Sequence, residues 1–283
     1  MKRPALFVSD LDGTLLQTDG TLSPFTHEAL CAFHRDGVPF TVATGRAFSS
    51  ARRALGGATL GLPLISSDGA LISQFHSPEP LFLYAMDLPA LQALNNELLG
   101  RGFTPMLDIW DGSANFMVTP EIANPVMEWY RGSKVHEEFF RFRYETVNAL
   151  PSHWQAISLT LLDSPQRLAP LRAEVDRRFG HLFKTDYAVL NEVDGAALWI
   201  QHVLARKENA LSELGRLLGV EDGNIVVFGD ELNDLGMFGR EWHAVAVGNA
   251  RQELKDKARE VIGHHTEDPV PRYVRLRLEK AED

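Results

Sequence analysis

The stretch SDLDGTLL, residues 9–16, places two carboxylates, Asp10 and Asp12, directly after the short apolar run ALFVS at 5–9. A run of this length is typical of a strand that is buried on both faces of a parallel sheet. Further apolar runs, each ending in small or polar residues, occur at 38–44, 62–67, 224–230 and 243–249. The first run and its successors therefore predict a largely parallel sheet.

Helical segments separate several of these strands. One opens with Ser23 as N-cap and Pro24 at the first helical position, and Gly37 ends it. Another, KENALSELGRLLG at 207–219, has apolar residues at 210, 211, 214, 217 and 218, the spacing of one buried helix face. Strands alternating with helices predict an α/β fold with a doubly wound, mostly parallel, Rossmann-like sheet.

Polar side chains follow three of the predicted strands. Asp10 and Asp12 follow the first, Thr44 the second, and Asp230 and Asp234 lie in GDELND. The carboxyl ends of parallel strands meet at one edge of the sheet, where ligands bind. Four carboxylates this close repel each other unless a cation neutralises them, and an all-oxygen set suits Mg²⁺. The sequence thus predicts a magnesium site at this edge.

A metal held by carboxylates forms a site for an anionic phosphoryl group. Asp10 can then attack phosphorus and form an aspartyl phosphate. Asp12, two residues further on, can protonate the leaving alcohol and later deprotonate water. Gly13 permits the tight turn that this geometry needs. Lys207, at the start of a predicted helix, is the expected cation for the phosphoryl oxygens.

The composition excludes several classes of protein. The chain has 283 residues, 45% of them hydrophobic, which is enough for one large domain or two modest ones. A net charge of −10 with no basic stripe argues against nucleic acid as a partner. Cys31 is the only cysteine, so no internal disulfide or thiolate cluster can form. No segment reaches the roughly 18 apolar residues of a membrane span or resembles a signal peptide, so we expect a cytoplasmic protein.

The middle of the chain has a different pattern. From about 79 to 188, strand, helix, strand, strand appears roughly twice, which predicts an inserted α+β domain with a weak internal repeat. We therefore expect a core formed by 1–80 and 191–283 and an insert at 81–190.

DLDGTL, TVATGR, the Lys207 region and GDELND, in this order and spacing, resemble the motifs of the haloacid dehalogenase superfamily. The long insert, with AVAVGNA after the fourth motif, is similar to the Cof-like subfamily with a type IIB cap. The resemblance implies that Asp10 is the nucleophile and that Asp12 is the general acid/base and, through its backbone carbonyl, a metal ligand. It also implies roles for the following residues: Thr44 and Lys207 on the phosphate, Asp230 on Mg²⁺, and Asn233 and Asp234 in support. We add Gly45, Arg46 and Asn233 as candidate phosphate- or substrate-binding residues and Asp234 as a candidate metal ligand.

Some positions depart from the family pattern or leave two interpretations open. Glu208 replaces a frequent glycine after the motif lysine, and it either alters substrate choice or has no effect. Asp68, in SDGA rather than NGA, either meets a sugar hydroxyl or caps a turn. Arg206 competes with Lys207 as the cation, although Lys207 has the better helix register. Arg46 either pairs with a structural carboxylate or contacts substrate.

The adjacent histidines His264 and His265 are expected on opposite faces of a strand, which disfavours a metal site there.

These observations predict a Mg²⁺-dependent phosphatase acting on small phosphorylated metabolites, with sugar phosphates preferred and the insert as lid and specificity element. A phosphotransferase or phosphomutase using the same intermediate is one alternative, and a non-catalytic phosphate sensor is another. A dehalogenase needs no metal, so Asp12 and the GDELND carboxylates argue against it. The sequence leaves the oligomeric state and the individual substrate open.

Overall fold

The structure is a computed structural model that describes residues 6–134, 137–138, 141–147 and 149–282. The strands in these ranges are β1 Leu6–Ser9, β2 Phe40–Val42, β3 Leu64–Ser66, β4 Leu71–Ser73, β5 Pro80–Leu83, β6 Met106–Trp110, β7 Asn115–Thr119, β8 Phe142–Tyr144, β9 Gln155–Asp163, β10 Phe183–Leu190, β11 Gly195–His202, β12 Ile225–Gly229, β13 His243–Ala246 and β14 Glu260–Val261. The α-helices are α1 Pro24–Arg35, α2 Phe48–Ala54, α3 Leu88–Gly100, α4 Pro125–Lys134, α5 Pro165–Phe179, α6 Lys207–Leu218, α7 Gln252–Lys255 and α8 Pro269–Glu282. No helix in the described part of the chain is both long and apolar enough to cross a membrane.

The chain divides into two compact units. The first comprises Met1–Phe82 and Arg206–Asp283, and the second comprises Leu83–Ala205. The first junction lies close to the expected one. The second lies later than residue 191, because β11 pairs along its length with β10 and with β9 in the sheet of the second unit.

The first unit is built on a five-stranded parallel sheet in the order β14-β13-β12-β1-β2. Every residue of β1 is fully buried, as expected for a strand covered on both faces. Ser9, the last residue of β1, is paired with Phe228 of β12, so the segments that follow these two strands begin side by side. A parallel bridge from Ala43 to Ile65 brings the end of β2 next to β3. The predicted α/β fold is confirmed.

Local sequence signals explain where the helices of the first unit begin and end. The Ser23 hydroxyl accepts a hydrogen bond from the Thr26 N–H at 3.0 Å, and Pro24 follows it at the first helical position. Helix α6 ends at Leu218, and the next residue, Gly219, has a left-handed φ of +67°. Its buried face includes Leu211 and Leu214, whereas Leu217, expected on the same face, is exposed.

The second unit has its own six-stranded sheet, in the order β10-β11-β9-β6-β7-β8. Alternate residues of each strand point to opposite faces, so Leu107 and Ile109 contribute to one hydrophobic cluster and Met106 to another. The first cluster includes α3 and α5, and the second includes α4. The unit therefore has a core of its own.

The internal repeat is present only in part. The second copy, β9-α5-β10-β11, has the predicted order. The first lacks its opening strand, because β5 joins the small sheet β3-β4-β5 instead of the six-stranded sheet.

Candidate active site

Two buried strands deliver the central carboxylates. The Asp10 N–H donates to the carbonyl of Phe228 at 3.0 Å, so the chain leaving β1 is still attached to β12. Asp230 is the first residue after β12. One carboxylate oxygen from each of Asp10, Asp230 and Asp234 lies within 4.8 Å of the others. The predicted convergence of these three carboxylates is therefore present.

Burial raises the pKa values of two carboxyl groups in this cluster. Asp10 is only 5% exposed, and burial raises the pKa of its carboxyl group well above the usual range, against the lowering effect of Lys207. Burial also raises the pKa of Asp230 to about 6. Both shifts reflect negative charge that is costly to bury, and a cation beside the two carboxylates would reduce that cost.

Lys207 is the cation at the centre of the cluster. Its Nζ donates to Asp10 Oδ1 at 2.6 Å and to Asp234 Oδ1 at 2.7 Å, and its side chain is fully buried. Burial lowers the pKa of Lys207, but the charges of Asp10 and Asp234 outweigh burial, so its pKa lies above the ordinary value. Arg206 is exposed. The structure therefore brings Lys207, not Arg206, to Asp10.

Asp234 holds the turn after β12. Its Oδ2 accepts hydrogen bonds from the backbone N–H groups of Asp230 at 3.0 Å and Glu231 at 3.3 Å. A Cβ at Gly229 would lie 2.6 Å from the same oxygen, so only glycine fits there. With Oδ1 on Lys207, both oxygens of Asp234 are engaged by protein groups.

Two residues that the sequence interpretation did not assign hold the loop after β1. The Thr14 hydroxyl donates to Asp230 Oδ1 at 2.8 Å, and Asn249 Nδ2 donates to the Gly13 carbonyl at 2.7 Å. Thr14 lies in DGTL and Asn249 in AVAVGNA, so the signal for each residue is the motif that contains it. These contacts fix the path of the chain between the two strand ends.

The second and third strands contribute a tightly held turn. The Thr44 carbonyl accepts a hydrogen bond from the Asp68 N–H at 3.0 Å, and Asn233 Nδ2 donates to Asp68 Oδ1 at 3.2 Å. Ser67 and Asp68 have left-handed φ values of +49° and +52°. A Cβ at Gly69 would collide with the backbone at the start of α6. The Asp68 carboxylate is thus bonded to Asn233, which belongs to the segment after β12, and this contact corresponds to neither interpretation of Asp68, a sugar hydroxyl or a turn cap.

Thr44 and Gly45 lie where β2 ends. Thr44 is fully buried, and its hydroxyl accepts the Arg46 N–H at 3.2 Å. Gly45 is exposed, and a Cβ there would lie 4.0 Å from Asn233 Nδ2. The candidate binding residues Thr44, Gly45 and Asn233 therefore lie around the same turn.

Asp12, the fourth carboxylate expected at this edge, is not part of the cluster of Asp10, Asp230 and Asp234, because its side chain is bonded to Arg46 instead. Arg46 donates to it twice, from Nε to Oδ2 at 2.7 Å and from Nη2 to Oδ1 at 2.6 Å. Arg46 therefore pairs with the candidate general acid, which is not the structural carboxylate of the first interpretation.

Comparison with known proteins gives the family. A family model described as haloacid dehalogenase-like hydrolase matches residues 7–274. The chain belongs to this family. An HMP-PP phosphatase of Cronobacter sakazakii is 27% identical to this haloacid dehalogenase-like hydrolase over 274 residues, 94% of this chain and 92% of its own. An HMP-PP phosphatase of an Enterobacter species is 26% identical over 283 residues, 97% of this chain and 95% of its own. The resemblance to a Cof-like haloacid dehalogenase is thus confirmed.

Solved structures show the same fold. A haloacid dehalogenase-like hydrolase from Bacteroides thetaiotaomicron superposes with a TM-score of 0.78 at 20% identity, covering 98% of this chain and 99% of its own. A Thermotoga maritima protein gives 0.77 at 22% identity, covering 98% and 97%. At these identities the likeness concerns the fold of the hydrolase alone.

Two further expectations have structural outcomes in this hydrolase. The Glu208 carboxylate lies against Gly236, where a Cβ would overlap it.

The histidine pair, His264 and His265, does not lie on a strand. His264 precedes a short 3₁₀ helix that begins at His265, and the two rings are 4.6 Å apart, so the expectation of opposite faces is wrong. His265 Nδ1 is hydrogen-bonded to the Leu16 carbonyl at 2.8 Å.

Gly13 offers a test of the packing in the hydrolase's central loop. Its φ is +73°, and a Cβ would overlap the Asp230 carboxylate. Gly37 has a similar φ of +66° with nothing within 4 Å of an added Cβ, so Gly37→Ala measures the conformational strain alone. We expect Gly13→Ala to cost about 1–3 kcal/mol more than Gly37→Ala in urea unfolding. Equal losses for the two variants would contradict the close approach of Gly13 to Asp230.

Proposed function

We propose that the protein is a Mg²⁺-dependent phosphatase that hydrolyses small phosphorylated metabolites through an aspartyl phosphate on Asp10. The observation that carries the proposal is the buried Asp10 carboxylate, with Lys207 Nζ at 2.6 Å and oxygens of Asp230 and Asp234 beside it. Membership of a hydrolase family supports it, as do two relatives that are named phosphatases.

The chemistry proceeds in two steps. An oxygen of Asp10 attacks phosphorus and forms a P–O bond, and the bond from phosphorus to the leaving oxygen breaks. Asp12 gives the leaving oxygen its proton and then takes a proton from the water that attacks the aspartyl phosphate. Phosphate leaves, and Asp10 and Asp12 regain their starting forms. Lys207 neutralises charge on the transferring oxygens, and Thr44, Gly45 and Asn233 line the phosphate site.

The residues fit Mg²⁺. Carboxylate oxygens are its preferred protein ligands, and the raised pKa values of Asp10 and Asp230 mark negative charge that a cation would compensate. Asp10, Asp230 and the Asp12 backbone carbonyl would hold the ion. Asp234, also expected among the ligands, has both oxygens bonded within the protein, which favours a role in holding Lys207 and the turn after β12. When bound, Mg²⁺ supplies positive charge to the phosphoryl oxygens.

Metal removal tests the proposal. We expect the purified protein to hydrolyse p-nitrophenyl phosphate in Mg²⁺, to stop in EDTA and to recover when Mg²⁺ is added back. Ca²⁺ should replace Mg²⁺ poorly, because its longer and more variable coordination misplaces the phosphoryl group. Full activity after exhaustive chelation would refute the metal-dependent mechanism, and no turnover under any condition would refute the phosphatase.

We further propose that the first unit is the catalytic core and that the second unit, Leu83–Ala205, is a type IIB cap that selects the substrate, with sugar phosphates preferred. Two facts support this division: the second unit has its own hydrophobic core, and the Asp10–Asp230–Asp234 cluster and Lys207 all belong to the first. A chain with one cysteine also fits our proposal of a cytoplasmic enzyme.

Exchange of the second unit tests the division of labour. We expect a chimaera carrying the insert of a relative with other preferences to adopt that relative's ranking in a screen of phosphorylated metabolites. Hydrolysis of p-nitrophenyl phosphate should stay within about tenfold, because the core supplies the chemistry. A folded chimaera that keeps the original ranking would place specificity in core residues such as Arg46 or Asp68.

A further inference from the structure

Arg46 makes two side-chain contacts with the Asp12 carboxylate. Its Nε and Nη2 contact the two oxygens of Asp12 at 2.7 and 2.6 Å, the parallel arrangement that a guanidinium makes with a carboxylate. Its backbone is held on both sides, because its N–H donates to the Thr44 hydroxyl at 3.2 Å and its carbonyl accepts from the Ser67 N–H at 2.8 Å. The backbone of Arg46 is therefore held in place by both of its polar groups.

Stability does not account for this pair. The Arg46 side chain is 24% exposed and that of Asp12 is 55% exposed. An exposed ion pair contributes about 0–1 kcal/mol to folding, because solvent screens the charges. The pair also joins the second strand end to the catalytic loop, two residues from Asp10. The pair therefore fixes the position of the Asp12 carboxylate and adds little to the stability of the fold.

The pairing is compatible with proton transfer by Asp12. A carboxylate has about four lone-pair sites, and a two-contact guanidinium takes one on each oxygen, so each oxygen keeps one site for a proton. The guanidinium limits rotation of the Asp12 side chain, which is otherwise exposed on a loop. Misplacement of a reacting group by about 1 Å can cost about 100-fold in rate.

We infer that Arg46 is a positioning residue for Asp12: it acts on the reaction by holding the carboxylate that transfers the proton, not by binding the phosphate. The inference rests on the proposed phosphatase function and adds a role for Arg46 to it. It requires that loss of Arg46 lowers the rate most for substrates whose leaving group must be protonated. A lysine at this position cannot reproduce the two parallel contacts.

Two esters with different leaving groups test the inference. An alkyl phosphate needs its leaving oxygen protonated, whereas p-nitrophenolate leaves readily without a proton. We expect Arg46→Ala to lower kcat/KM on the alkyl phosphate about 10- to 100-fold and kcat/KM on p-nitrophenyl phosphate less than about threefold, because kcat/KM reports the steps up to departure of the leaving group and excludes the later hydrolysis, in which Asp12 also acts. Arg46→Lys should restore little of the loss.

A matched control is available in the same unit. Arg35 contacts Asp36 through the same two nitrogens, Nε at 2.9 Å and Nη2 at 3.2 Å, on an exposed part of α1. Arg35→Ala should leave both rates unchanged. Thermal unfolding of both variants separates an effect on rate from an effect on the fold, because the Arg46 side chain is 24% exposed and that of Arg35 is 73% exposed.

The double variant Asp12→Asn/Arg46→Ala completes the test. If Arg46 acts through Asp12, its removal causes no further loss in the Asp12→Asn background. Additive losses, or a KM raised equally for both esters, would overturn the inference and place Arg46 on the phosphate. Absence of turnover by the unaltered protein would overturn the phosphatase proposal together with the inference, so the two failures are distinguishable.

Discussion

Asp10→Asn is expected to abolish hydrolysis of p-nitrophenyl phosphate, with kcat reduced at least 100-fold. Asparagine keeps the volume of the side chain but cannot attack phosphorus, and it removes one negative charge from the expected metal site. The position tolerates this change because Asp10 is held by the Phe228 carbonyl through its backbone. Steady-state rates measure the loss, and mass spectrometry must exclude deamidation back to aspartate.

The fold of Asp10→Asn should persist. Lys207 keeps its contact with Asp234 at 2.7 Å, so the buried ammonium is not left without a carboxylate. Burial raises the pKa of Asp10, so its ionised form is costly in the folded state, and asparagine removes this cost. Urea unfolding should therefore show little or no loss. Activity above about one hundredth of the wild-type rate would contradict covalent catalysis by Asp10.

Lys207→Ala is expected to damage both activity and stability. It leaves Asp10 and Asp234 buried without their shared cation, and loss of one partner from a buried ion pair typically costs about 3–5 kcal/mol. Under the proposed mechanism it also removes the positive charge that would face the phosphoryl oxygens. Urea unfolding and the rate of p-nitrophenyl phosphate hydrolysis measure the two effects separately.

Arg206→Ala is the control for this variant, because Arg206 is adjacent in sequence and exposed. It should lose less than about 0.5 kcal/mol, as surface substitutions commonly do, and retain most activity. Lowering the pH should recover part of the stability of Lys207→Ala, since protonation of Asp10 then removes the repulsion from Asp234. If Arg206→Ala lost more activity than Lys207→Ala, the third motif would be misassigned.

Short-range signals made much of the fold predictable. Buried strands such as β1 are continuous apolar runs, and α1 carries its own start and stop in Ser23, Pro24 and Gly37. The topology of parallel strands then brings their carboxyl ends together, which is why Asp10 and Asp230 were expected to be neighbours.

Contacts between distant segments were harder to predict. The Asp12–Arg46 pair joins two loops 34 residues apart and depends on side-chain direction, which no local periodicity encodes. The junction at Ala205/Arg206 depends on β11 pairing with strands of the insert, although its apolar run also suits the core. His264 and His265 were assigned to a strand because a 3₁₀ turn has too short a pattern to be recognised.

Trapping the covalent intermediate tests the central claim most directly. The protein is mixed with substrate and Mg²⁺, quenched in acid within the first turnovers and reduced with borohydride, which converts an aspartyl phosphate to homoserine. Peptide mass spectrometry should find homoserine at position 10, only in samples that contained substrate, and none in Asp10→Asn. A fully active protein that yields no modified residue, or one modified at another carboxylate, would contradict nucleophilic catalysis by Asp10.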